Sequence, residues 1–380
     1  MDRRDKQRFA VPASPVSWSG SNTRGRPVST NTGPSTTTSR SRSGGASVED
    51  PDYRRLLLKN NIDLRPDYLP MPGHVESIVE HVRTRQRDSP ERTDEELVYD
   101  EKRWELFEGT GEDEVVKYYS KHVFPDEDGN NDVLRVRTGK SMARQVVPFA
   151  GGDVAPFCVP APDMLYGYRA DRAFPNPAHR EKLSGDMEKE VIAINDIGSR
   201  NALLYPFFIV EYKGVGGNMW VATNQCLGGT SACISIAEKL NRRLFEAAHA
   251  KDGVVTTVDS TAFSIAMNGN EARMYVSWKQ DELNYYTTNI DCYALRRPDE
   301  YRRFRRMVRN VVDWGRNDRL KGIKKGLDQL LEAAEKQTPD IPDPALSGIP
   351  GSSGQSVRQR SPPSPSDKGS SSRRSKKQRS

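Results

Sequence analysis

The sequence predicts an α/β domain, a mixed central sheet flanked by helices, set between two end segments too polar to fold alone. Three observations carry this. Helical and strand-like periodicities follow one another in the order helix, strands, helix, strands, helix. The run YPFFIVEYKG (205–214) is apolar enough for a buried strand and is followed by a segment of small and apolar residues at helical spacing. Hydrophobic residues make up only 35% of the chain, with serine and proline gathered at the ends, which points to a folded middle with disordered tails.

Residues 1–50 have no apolar period and read as a disordered basic tail. Residues 51–337 read as the folded domain, with a core over about 100–315 and a helical extension over 51–99. In that extension DYRRLLLKNNI and DEELVYDEKRWELFEG are amphipathic. TGEDEVVKYYSKHVFP offers Thr110 as N-cap, acids in the first turn, an apolar stripe of Val115, Val116, Tyr119 and Val123, and Pro125 as terminator. DVLRVRT (132–138) is strand-like, and glycine and proline break 145–170 into at least two strands. A charged stretch over 171–200 reads as a looped insertion. After the strand at 205–214, Ala222, Cys226, Cys233, Ile236, Ala237, Leu240 and Leu244 mark a buried helix. Residues 254–295 return to strand composition with an Asn268-Gly269 turn. A long helix over 298–336, interrupted near Gly315, carries Tyr301, Phe304, Met307, Val308, Val311 and Val312 on its inner stripe. Residues 338–380 form a second disordered tail, rich in Pro and Ser.

The formal charge of +6 from 58 Lys and Arg against 52 Asp and Glu resides in the tails, which leaves the middle at about −3. The core is therefore no general polyanion binder. No 18-residue apolar segment and no leader-like N-terminus is present, so membrane insertion and secretion are not expected and the protein reads as intracellular. The basic finish Arg373, Arg374, Lys376, Lys377 and Arg379 resembles a nuclear-import signal and favours the nucleus over the cytoplasm. Four cysteines and five histidines lack zinc-site or disulfide spacing. RTGKS (137–141) ends like a phosphate-binding loop, yet Leu134 stands where that loop needs glycine and strand-like sequence follows.

Side chains alternate along a strand, so Glu211 and Lys213 share one face at the end of the apolar run. Upstream, PDMLYGY (162–168) puts Asp163 at another strand margin. Pro-Asp followed by Glu-x-Lys, in this order of elements, resembles the PD-(D/E)XK nuclease superfamily. PDMLYGY, PFFIVEYKG and ATNQCLGG together resemble a fungal group of such nuclease-like proteins, over roughly residues 100–315. The resemblance implies a restriction-endonuclease-like core in which Asp163 and Glu211 hold Mg²⁺ or Mn²⁺, Lys213 orients or activates a water, and Gln225 on the next helix supports the site. In such sites a glutamate of the preceding helix often completes the set; Glu112 and Glu114 both qualify, and Glu114 is carried as the possible ligand. Two acids and a divalent ion suit hydrolysis of nucleic-acid phosphodiesters, since a hard cation takes oxygen ligands and acidifies water. Under that reading Arg302, Arg305, Arg306 and Arg309 become candidates for phosphate contacts with DNA or RNA. The alternative is a nuclease-fold module that binds nucleic acid or protein without cleaving it.

Overall fold

A computed structural model describes residues 46–86, 91–125, 133–195, 202–249 and 257–335. The expected tails over 1–45 and 338–380 lie outside the described residues. Residues 46–50, expected to belong to the first tail, instead join the folded body, with Ala46 and Val48 packed on the core.

The chain opens with helix α1 (Tyr53–Lys59), strand β1 (Ile62–Leu64) and helices α2 (Gly73–Thr84), α3 (Asp94–Val98), α4 (Glu101–Glu108) and α5 (Glu112–His122). Strands β2 (Leu134–Arg137) and β3 (Met164–Arg169) follow, then two short helices, α6 (Pro177–Ser184) and α7 (Glu188–Val191). Strand β4 (Leu203–Tyr212), the long helix α8 (Met219–His249), strands β5 (Ala262–Met267), β6 (Glu271–Lys279) and β7 (Tyr285–Ala294), and helices α9 (Pro298–Trp314) and α10 (Leu320–Glu335) complete it. Seven strands form one mixed sheet in the order β1-β7-β6-β5-β4-β3-β2. The β4–β5 and β1–β7 pairs are parallel and the other four antiparallel. The α/β class with helices flanking a mixed sheet is thus as expected.

Several local expectations are corrected. DEELVYDEKRWELFEG forms two helices, because Asp100 leaves the first helix and caps the second by accepting the Arg103 N–H, while Thr93 and Glu96 form a capping box on α3. Gly111, rather than Thr110, is the N-cap of α5. The 145–170 stretch holds a 3₁₀ turn (Arg144–Val146) and the single strand β3. Four prolines between 148 and 162 remove N–H donors, and Gly151 and Gly152 take positive φ, so no second ladder forms there. The expected loop over 171–200 carries α6 and α7, and Ile192 and Ile194 bridge to Leu204 and Met142. The extension before residue 100 also supplies the edge strand β1. RTGKS leads into a bridge and a 3₁₀ turn instead of a helix, consistent with its rejection as a phosphate loop.

Strand β4 is buried along its whole length. Helix α8 packs on β4, β5 and β6, and α5 and α9 bring Phe124 and Phe304 to the aromatic layer around Phe208 and Tyr212. No helix among the described residues is long and apolar enough to cross a membrane. The expected break in the last helix is a π-helical turn over Gly315–Arg319. A β-carbon on Gly315 would stand 2.1 Å from Cζ of Phe207, so only glycine lets the helix approach β4 here. Arg319, buried in the same turn, donates to the Tyr205 carbonyl at 3.0 Å and lies against the Phe207 and Tyr168 rings.

Gly315→Ala should therefore cost about 1–3 kcal/mol by overpacking, measured by urea unfolding, and adding Phe207→Leu should recover part of it. Equal stability of Gly315→Ala and the parent would contradict the close approach.

Candidate active site

Strands β3 and β4 run antiparallel, with Tyr166 opposite Phe208, Leu165 opposite Ile209 and Met164 opposite Val210. One step further in this register puts Asp163 beside Glu211. The backbone N–H of Tyr212 donates to Oδ2 of Asp163 at 2.7 Å and fixes the carboxylate at the strand margin. The segment leading into β3 is held by the RTGKS loop, whose Gly139 N–H donates to the Pro162 carbonyl at 3.0 Å, while the Met142 N–H donates to that of Pro160 at 2.8 Å. The phosphate-loop lookalike thus serves as a bracket for Asp163.

Glu211 is 1% exposed, and its Oε2 has no hydrogen-bond partner among the described residues. Burial, then the neighbouring charge of Asp163, raises its pKa well above the usual carboxylate value, with Lys213 opposing. Burial also raises Asp163, against the Tyr212 N–H and Lys213. A hydrogen bond between the two carboxyls lowers Asp163 and raises Glu211. An ionised, unpaired carboxylate in this place would cost several kcal/mol, and protonation avoids that cost.

Lys213 closes the strand end. Its ammonium donates to the Tyr212 carbonyl and stands 3.8 Å from Oε2 of Glu112. Glu112 heads α5, drawn to β4 where the Val215 N–H donates to the Thr110 carbonyl at 3.3 Å. Partial burial raises the Glu112 carboxyl, while Lys213 and the Gly214 N–H act in the opposite sense. Of the two helical glutamates it is Glu112 that reaches the cluster. Glu114, carried as the possible ligand, is exposed and pairs with Lys117 at 3.7 Å.

Gln225 stands one turn before Gly229, where α8 comes so close to the sheet that a β-carbon would lie 2.6 Å from Cδ1 of Ile209 and 3.8 Å from Cγ of Pro162. That contact carries Gln225 toward the strand ends bearing Asp163 and Glu211. Its Oε1 is buried without a hydrogen-bond partner among the described residues. Two cysteines and a tyrosine to which the sequence assigned no part in the site also lie within electrostatic reach of Glu211. The thiols of Cys226 and Cys158 and the phenol of Tyr53 are pushed up, chiefly by burial and further by the charge of Glu211. Tyr53 lies 2.9 Å from Sγ of Cys158. The Tyr53–Cys158 contact joins residues 105 positions apart, and no local pattern announces it.

The arginines of α9 are engaged elsewhere. Arg302 pairs with Asp94 at 2.5 Å and Arg306 with Glu91 at 3.2 Å, while Arg305 donates to the His122 carbonyl at 3.1 Å. Arg309 follows, half-buried, on the same helix.

Among the described residues no three His, Cys, Asp or Glu side chains converge on a point that could hold a metal ion. The carboxyl oxygens that the strand margins bring together are those of the pair Asp163 and Glu211. The pair suits Mg²⁺ or Mn²⁺, which one or two carboxylates can hold while water and phosphate oxygens fill the remaining positions, and the unpartnered Oε2 of Glu211 is a spare oxygen donor of that kind.

The raised value of Glu211 means that the folded chain retains a proton the unfolded chain releases above pH about 4.5. This contribution to stability is fully present below that pH and is lost as pH rises toward the folded value. In EDTA, Glu211→Gln should melt above the parent at pH 7, the gap closing toward pH 4.5; a gap that widens on acidification would reverse the assignment.

A search of curated proteins found no match to the chain. A family model described as "Domain of unknown function (DUF7924)" matches residues 101–327, a stretch that includes Glu112, Asp163, Glu211, Lys213 and Gln225. The chain belongs to that family of domains of unknown function, and its carboxylate–lysine cluster lies inside the shared segment.

Proposed function

We propose that the chain is a metal-dependent nuclease of the PD-(D/E)XK type, with a restriction-endonuclease-like core, that hydrolyses phosphodiester bonds of nucleic acid. One observation carries the reading: acids far apart in sequence, Asp163 and Glu211, meet at the margin of adjacent strands with Lys213 two residues beyond Glu211. A purely structural strand end would expose its charges to water, whereas this one buries a carboxyl whose Oε2 is left without a partner.

Mg²⁺ or Mn²⁺ held by Asp163 and Glu211 would acidify water and polarise the phosphate. The remaining work falls to the chain itself. Asp163 is oriented by the Tyr212 N–H and offers its carboxylate from a fixed position. Lys213 stands where an ammonium can hold the attacking water or offset charge growing on the phosphoryl oxygens. Glu112 holds that ammonium near the strand end. Gln225 provides an amide oxygen for a water or a substrate hydroxyl. Hydrolysis joins the water oxygen to phosphorus and breaks the ester P–O bond; the attacking water gives up a proton to solvent and the departing alkoxide takes one from solvent.

The basic run at Arg373–Arg379, outside the described residues, supports a nuclear location for this activity.

With Mg²⁺ and labelled DNA or RNA, the full chain should release shortened products, and Glu211→Ala and Lys213→Ala should each reduce the rate at least about 100-fold. Mg²⁺ should also raise the melting temperature of the parent and leave that of Glu211→Gln in place. Binding without cleavage, unchanged by the ion, would instead identify a nuclease-fold binding module.

A further inference from the structure

The segment that precedes the family-matched residues 101–327 packs on α8, the helix behind the carboxylate cluster. Helix α1 packs against α8, and its Tyr53 lies close enough to Glu211 to feel that charge. The next residue, Arg54, donates from Nε to Oδ1 of Asn224 at 2.6 Å and sits over the ring of Trp220 at 5.7 Å. Asn224 is fully buried and donates to the Val48 carbonyl at 3.4 Å, so the support is itself held on both sides. Trp220 stands at the start of α8, its backbone N–H donating to Oδ1 of Asn218 at 2.9 Å. Asn224 adjoins Gln225, and Cys226, the residue after that, senses Glu211. The guanidinium is thereby placed within about one helical turn of the residues that line the cluster.

What distinguishes Arg54 is what it lacks. Arg92, Arg243 and Arg306 each meet a carboxylate, but among the described residues none stands within ion-pair distance of Arg54, although Asp63 is near enough to act on it electrostatically. Burial disfavours the charge, yet the side chain is braced by a hydrogen bond and an aromatic ring, with its two Nη groups left for another acceptor. A planar guanidinium held in this way suits the paired oxygens of a phosphate diester.

We propose that Arg54, seated on Trp220 and anchored by Asn224, contacts the phosphate backbone of a nucleic-acid strand as it leaves the carboxylate pair, so that residues 46–61 form part of the substrate-binding wall. This rests on the phosphodiesterase reading of the cluster and adds to it a residue outside the matched family segment.

The test measures anisotropy of a fluorescein-labelled single-stranded oligodeoxynucleotide of about 16 nucleotides on the full chain, with Ca²⁺ replacing Mg²⁺, across a salt series. Arg54→Gln keeps an amide able to bond Asn224 and should weaken binding about tenfold, with the slope of log affinity against log salt falling by about one. Arg297→Gln, the same charge change at an exposed ion pair with Asp299, should stay within about twofold. Equal losses in the two variants, or a parent chain that does not bind the oligonucleotide, would overturn the proposal. If Arg54→Gln melts early, Arg54→Lys decides: lowered affinity with the salt slope retained supports the contact, and unchanged affinity overturns it. Cleavage with Arg54-independent binding would sink this inference alone, and Arg54-dependent binding without cleavage would sink the hydrolase reading alone.

Discussion

The antiparallel register of β3 on β4 is the constraint on which the site depends. Because side chains alternate along a strand, a slip of one residue would send Asp163 to the opposite face and leave Glu211 buried alone. The register is held from both ends. Tyr212 binds Asp163 through its N–H at the site margin, and beyond the irregularity between Tyr166 and Tyr168 the pairing resumes at Leu204 and Leu203. Tyr205, with φ of 43°, sits within that irregularity, so the strand absorbs its backbone distortion well away from the carboxyls. Aromatic packing of Phe208 against Tyr166 and Phe124 joins the two strands on the face opposite the site.

Around that pairing buried acids outnumber the bases that could balance them. Three carboxyls, Glu112, Asp163 and Glu211, face one ammonium, Lys213. Burial is the first cause of the upward shift in each of the three, and the hydrogen bond between Asp163 and Glu211 relieves part of the conflict. Small residues on α8 bring the helix down on the sheet, so that Cys226, Ala222 and Ala266 form a dry wall near Glu211. Such a wall strengthens every charge interaction inside it.

Much of this arrangement was legible before any coordinates, and the limits have physical reasons. The buried strand, the helix of small residues behind it and the interruption at Gly315 are marked by composition and period, which report burial directly. That Asp163 and Glu211 would lie together was expected through the resemblance alone, and the register of β3 on β4 does bring them together. Choosing Glu112 over Glu114 was also within reach: Glu112 stands three, four and seven residues before Val115, Val116 and Tyr119, at the head of the stripe that packs inward. Arg54 and Trp220 were not legible, since their contact depends on how α1 docks on α8. Nor were the ion pairs of Arg302 and Arg306, where a basic helix face looked open until its acidic counterpart, Glu91 and Asp94, folded onto it. Short helices such as α6 and α7 escaped because their charges masked a few buried anchors, Leu183, Met187 and Val191.

The π-helical turn between α9 and α10 sets the angular phase of everything after it. Each residue advances an α-helix by about 100°, and a π turn holds one residue more than the regular coil. The extra residue lets α9 present Phe304 and Val308 to the β7 side while α10 turns Leu327 and Ile323 inward where it meets α8 and α6. Shortening Gly315–Arg319 by one position would restore an unbroken coil and rotate the whole of α10 off its seat. The molecule's two helical layers are thus geared together through a single surplus residue, and length within that turn is less negotiable than composition.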